Sequence, residues 1–159
     1  MKRLSRHEAM RPLSRHHHHA LVMVLNIRKT LTNEGTAEDK AVKALRAKLL
    51  QFWETGGQEH FREEEEILLP AYSRYAPIHQ EEIIEMLMEH VQIRALIAAI
   101  SDEEGDLVVH MRKLSEVLEQ HVRREERVIF PMMEAALPEE ELKKLAPYFH
   151  EFHKGNPNE

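Results

Sequence analysis

Two stretches of this chain set a histidine four residues ahead of a glutamate: His60 with Glu64, and His121 with Glu125. Residues at i and i+4 of a helix share a face, with Cβ atoms about 5–6 Å apart. Each pair can therefore aim an imidazole nitrogen and a carboxylate oxygen at one point, as a cation requires. The two stretches also repeat each other. Between His60–Pro70 and His121–Pro131, five of eleven positions are identical, among them both histidines, both glutamates and both prolines. A lone His-x-x-x-Glu is common by chance, whereas the same pair twice in matching surroundings points to a duplicated site.

These residues fall in apolar seams that step by three and four. One seam reads Met111, Leu114, Leu118, His121, Glu125, Val128, Met132. A second reads Ile83, Met86, His90, Ile93, Ile97, Ile100, with His90 as its one polar member. A third reads Trp53, Gly57, His60, Glu64, Ile67, Ala71, and a fourth begins His18, Leu21, Leu25. An ionised carboxylate buried without a partner costs several kcal/mol. Six such intruders facing one interior call for a shared cation, which neutralises the glutamates and accepts the imidazole lone pairs. Aligning His18 with His90 puts Leu21 on Ile93 and Leu25 on Ile97, so the chain reads as two helix hairpins. Each hairpin supplies one histidine and one His-x-x-x-Glu. The candidate metal ligands are His18, His60, Glu64, His90, His121 and Glu125, with His17 the alternative to His18 in the run His16–His19. His7, His79, His110, His150 and His153 have no acid partner at ligand spacing and read as surface or hydrogen-bonded histidines. Tyr72, Tyr75 and Tyr148 read as packing residues.

The elements that carry these seams are helices. The chain of 159 residues has the size of one domain, is 42% hydrophobic and is only 6% aromatic, a balance that favours helix over sheet. The spacing predicts helices over about Arg15–Thr32, from Thr36 past Pro70, over Ile78–Ser101 and over Asp106–Ala136. A short fifth helix follows, over Pro138–His153. Asn33-Glu34-Gly35 and Ser101–Gly105 are the stops, and Gly56-Gly57 kinks or splits the second helix. Short connections make this an all-α, antiparallel up-down-up-down four-helix bundle. The expected organisation is a flexible N-terminal arm at 1–12, the bundle at 13–154 and a tail at 155–159.

Composition bounds the function. There is no cysteine, so disulfides and thiolate metal sites are excluded. A net charge of −6 argues against a nucleic-acid partner, the basic residues of the first fifteen positions reading as a solvated tail. No apolar run is long enough to span a membrane, and no secretory signal is evident. The expected location is cytoplasmic and the expected state a monomer or homodimer. Nitrogen and carboxylate donors without sulfur suit iron, manganese or zinc, with iron ranked first.

In Leu13–Leu21, His60–Glu66, Glu89–Ile93 and His121–Glu125, taken in order, the chain resembles the hemerythrin family, specifically its bacterial HHE cation-binding members. The resemblance implies a bundle holding two iron ions (Fe2+/Fe3+), bridged by carboxylates and by an oxo or hydroxo group. It implies a small diatomic or peroxide ligand: O2, NO or peroxide. Two positions depart from the oxygen carriers. Arg94 stands where they place a second histidine on the third helix, and the acid after His121 is Glu125 at four residues, with Glu126 at five. The departures leave one iron short of an imidazole, and favour sensing, iron handling or storage over oxygen carriage. A di-iron oxidoreductase acting on peroxide or nitric oxide, and a metal-stapled structural bundle, are the competing functions.

Overall fold

The structure is a computed structural model that describes residues 5–31 and 39–150. Helix α1 is Arg11–Leu31, with Pro12 in its first turn, where a missing N–H costs nothing. Helix α2 runs over residues 39–73, and two wide π turns, Trp53–Gly57 and Glu64–Leu68, interrupt its α-helical hydrogen bonding. Helix α3 is Glu81–Ser101. Helix α4 runs over residues 107–136 with a π turn at Glu125–Ile129, and Asp106 caps its start by accepting from the amides of Val108 and Val109. Helix α5 is Glu139–Leu145. No strand occurs among the described residues. The α3–α4 connection turns through Glu103 and Gly105, both at positive φ, the conformation glycine supplies without strain. The expected stop at 33–35, the start of α2 at Thr36, His153 and the tail at 155–159 lie outside the described residues.

Helix α1 packs against α2 and α4, and α3 packs against the same two, giving an all-helical bundle. The seam of α3 is the predicted one, with Ile83, Met86, His90, Ile93, Ile97 and Ile100 all buried. Two other seams differ from expectation. In α1 the buried row is His17, Ala20, Val24, Ile27 and Leu31, while Leu25 is 62% exposed. In α4 the row passes from Glu125 to Ile129 and Met133, leaving Val128 exposed. The π turn is the cause: the Phe130 amide reaches back five residues to the Glu125 carbonyl, and the extra residue rotates everything after it. Helix α2 repeats this at Glu64, where the Leu69 amide donates to the Glu64 carbonyl and Leu68 is buried in place of Ile67. The turns at Glu64–Leu68 and Glu125–Ile129 each stop just before a proline, Pro70 or Pro131, whose ring opposes an ordinary α-helical turn.

Residues 5–12 make contacts with the bundle. Ala9 and Met10 are buried, the His7 ring accepts from the Ala9 amide, and Arg6 donates to the carbonyl and carboxylate of Glu126. The core has two apolar halves. One is built on Val24, Leu49, Ile97 and Leu114. The other is built on Leu13, Tyr72, Met86 and Phe130. Between them lies a layer of histidines and glutamates.

Candidate metal centre

Two of the three π turns begin at the glutamate of a His-x-x-x-Glu pair, Glu64 and Glu125. Glu64 and Glu125 are fully buried. Four imidazoles meet them. His60 Nε2 is 3.1 Å from Glu64 Oε1 and 3.9 Å from Glu125 Oε1. His90 Nε2 is 3.4 Å from Glu64 Oε1 and 3.8 Å from Glu125 Oε2. His121 Nε2 is 3.1 Å and His17 Nε2 is 2.8 Å from Glu125 Oε1. Two quartets result, His17-His60-Glu64-Glu125 and His90-His121-Glu64-Glu125, each with one donor atom per residue within 4.8 Å of the others. The two glutamates belong to both.

Five of the six residues expected at the site are here: His60, Glu64, His90, His121 and Glu125. The sixth, His18, is exposed, and His17 takes its place. The true seam of α1 begins one residue earlier, so it is His17 that corresponds to His90. The run of larger side chains, Leu21 and Leu25, favoured the wrong register. The far end of the helix distinguishes the two, since the row from His17 continues through Ile27 and Leu31 while the row from His18 continues through Arg28.

Most of the inward-facing atoms have no hydrogen bond. Both oxygens of Glu64, Oε2 of Glu125 and the Nε2 atoms of His60, His90 and His121 are buried and unsatisfied. The His60–Glu64 and His121–Glu125 approaches are short but lack hydrogen-bond geometry. A folded core does not leave that many polar atoms unpaired without reason. A cation among them would satisfy all at once, and imidazole with carboxylate is a fitting donor set.

The outer ring nitrogens carry a second pattern that spacing did not disclose. His17 Nδ1 donates to Glu126 at 2.7 Å, His90 Nδ1 to Glu65 at 2.9 Å, and His121 Nδ1 to Glu89 at 3.2 Å. An arginine grips each carboxylate: Arg6 on Glu126, Arg94 on Glu65, Arg124 on Glu89. Such partners turn Nε2 of each ring inward, the usual support of a metal-bound histidine, and the inward Nε2 of His17 donates to Glu125 at 2.8 Å. Arg94 thus pairs with Glu65, and each quartet has two imidazoles. Glu65 and Glu126 occupy matching places in the repeat and were visible on that ground. Arg6 was not, lying far away in sequence.

Charge in the cluster follows from burial. Burial and then the Glu125 charge push Glu64 well above the usual carboxylate range. Glu125 moves the other way: burial would raise it, but His121 and the neighbouring hydrogen bonds outweigh burial and hold it low. Burial also opposes a charge on His121, yet Glu125 and Glu89 lift it to about 9. His60 falls to about 4, chiefly through burial.

Beside His17, His60 and His121 lies a small cavity of about 20 Å³, walled by apolar side chains such as Met23, Leu49, Ile97 and Leu118. Its volume suits one water or one diatomic molecule. Gly57 lines it, and a Cβ there would come within 2.9 Å of the Trp53 ring.

Residues 10–133 match the family described as hemerythrin HHE cation binding domain. No curated protein and no solved structure matches the chain. A match over most of the chain, on a bundle whose core holds these histidines and glutamates, means that the chain belongs to the hemerythrin HHE cation-binding family.

Proposed function

We propose that the chain is a non-haem di-iron protein of antiparallel up-down-up-down topology that binds a small neutral oxidant, dioxygen or nitric oxide, for sensing, iron handling or storage. The observation that carries this reading is the sharing of Glu64 and Glu125 between two quartets. His17 and His60 would hold one ion, His90 and His121 the other, and the two carboxylates would hold both. Such an iron pair, when bound, supplies reversible coordination of a diatomic ligand and one-electron redox chemistry.

The protein's own contribution is orientation and exclusion. Glu65, Glu89 and Glu126 fix three of the imidazoles. The apolar walls of the neighbouring cavity favour a neutral guest over an anion and keep bulk water out. They also favour dioxygen or nitric oxide over peroxide, which is why binding ranks above oxidoreductase turnover. The test is the metal content and visible spectrum of protein produced with iron, reduced and then exposed to dioxygen. Two irons per chain with ferric charge-transfer bands that respond to the gas support the reading. A single zinc, or no metal, would overturn it.

A further inference from the structure

Internal symmetry makes the two quartets comparable position by position. His17 corresponds to His90 and His60 to His121, so His16 corresponds to Glu89 and Glu63 to Arg124. Behind His121 these positions form a closed ion pair, Glu89 with Arg124 at 3.1 Å. Behind His60 they are a histidine and a glutamate. His60 is 4% exposed, and its Nδ1 has no hydrogen-bond partner, unlike that of the other three imidazoles. The ring borders a cavity of about 10 Å³ that it shares with His16, Glu59, Glu63 and His150, room for about one water. Glu59 and Glu63 also line a surface groove of about 320 Å³, together with Glu54 and Glu66. Among the described residues Arg62 is its one cationic lining residue, and it is paired with Glu66. The backbone amide of His150 donates to Glu63 at 2.7 Å and fixes it at the junction of groove and cavity.

On the reading that the cluster holds iron, we infer that this groove is the route by which a divalent cation reaches the centre. It would be gathered by Glu59 and its neighbours, passed by Glu63 and delivered at His60. Among the described residues the other approaches are closed to a cation. Carboxylate–arginine pairs cover His17, His90 and His121 from outside, and the apolar cavity offers no oxygen to replace a shed hydration shell. A line of carboxylates provides both the attraction and the replacement oxygens.

The experiment is the rate of Fe(II) uptake by the apo protein under anaerobic conditions, with unbound iron trapped by a colorimetric chelator at intervals. Glu59→Gln and Glu63→Gln should each slow uptake about tenfold yet reach the wild-type iron content. Glu104→Gln, the same charge change in the α3–α4 connection, should load at the wild-type rate. Glu59 is exposed, so its variant carries the test should Glu63→Gln fold poorly. Wild-type rates in both groove variants, with two irons still bound, would overturn the route and leave the centre standing. A wild-type protein that takes up no iron would overturn the proposed function and this route together.

Discussion

An imidazole becomes a dependable ligand when something behind it turns one nitrogen inward, and in this chain a carboxylate does so for His17, His90 and His121. His17 is the residue on which sequence and structure disagree, so it gives the sharpest prediction. His17→Ala should retain about one metal per chain, because one quartet loses an imidazole while the other keeps both. His18→Ala, altering an exposed side chain, should retain two. Metal analysis of the purified variants decides this, and the opposite pattern would restore His18. A second prediction concerns protons. Glu64 is raised and His121 lies at about 9, so at neutral pH the cluster without a cation holds protons that uptake must expel. Both folded values lie above neutrality or are shifted toward it, so uptake releases protons and affinity rises with pH. Calorimetric titration in buffers of different ionisation enthalpy should show at least one proton released per chain. Uptake independent of buffer would contradict the protonation argued for Glu64 and His121.

At the scale of elements, the helices were legible because their apolar residues keep a period of three and four, and the seam of α3 held at every position. What was not legible is what periodicity alone cannot carry. A wide turn adds one residue to the count, so the α4 seam slips from Val128 to Ile129 without any break in apolar pattern. The prolines at 70 and 131 were the only local hint. The α1 register failed for a different reason: two adjacent rows, from His17 and from His18, both step correctly at the start of the helix. The start of α4 at Asp106 was legible, and Asp106 is the sort of residue that accepts from orphan amides. Its two bonds, to Val108 at 3.0 Å and Val109 at 3.3 Å, predict that Asp106→Ala destabilises the protein by about 1 kcal/mol. Urea unfolding would register this as a lower midpoint with an unchanged slope, and metal content should stay at two. An unchanged midpoint would mean that solvent satisfies the amides equally well.

At the scale of the molecule, the polar layer divides the core. The apolar residues form two clusters, and α1, α2, α3 and α4 all pass through the plane between them. Without a cation that plane contains buried, unsatisfied oxygens and nitrogens, so the two halves meet across a layer that opposes burial. A bound cation converts it into a junction. Ligand that binds only the folded state at a thousand times its dissociation constant adds about 4 kcal/mol. For a domain of this size that is on the order of 10 °C in Tm. Chelation should therefore lower the Tm of the wild type by about that amount without abolishing the fold, because each apolar half retains its own packing. The variant Glu64→Gln with Glu125→Gln separates this effect from a general action of the chelator. It removes both shared carboxylates. It should bind no metal and show the same Tm with or without chelator in scanning calorimetry. A double variant that still responds to chelator would place the stabilising ion somewhere other than between these two glutamates.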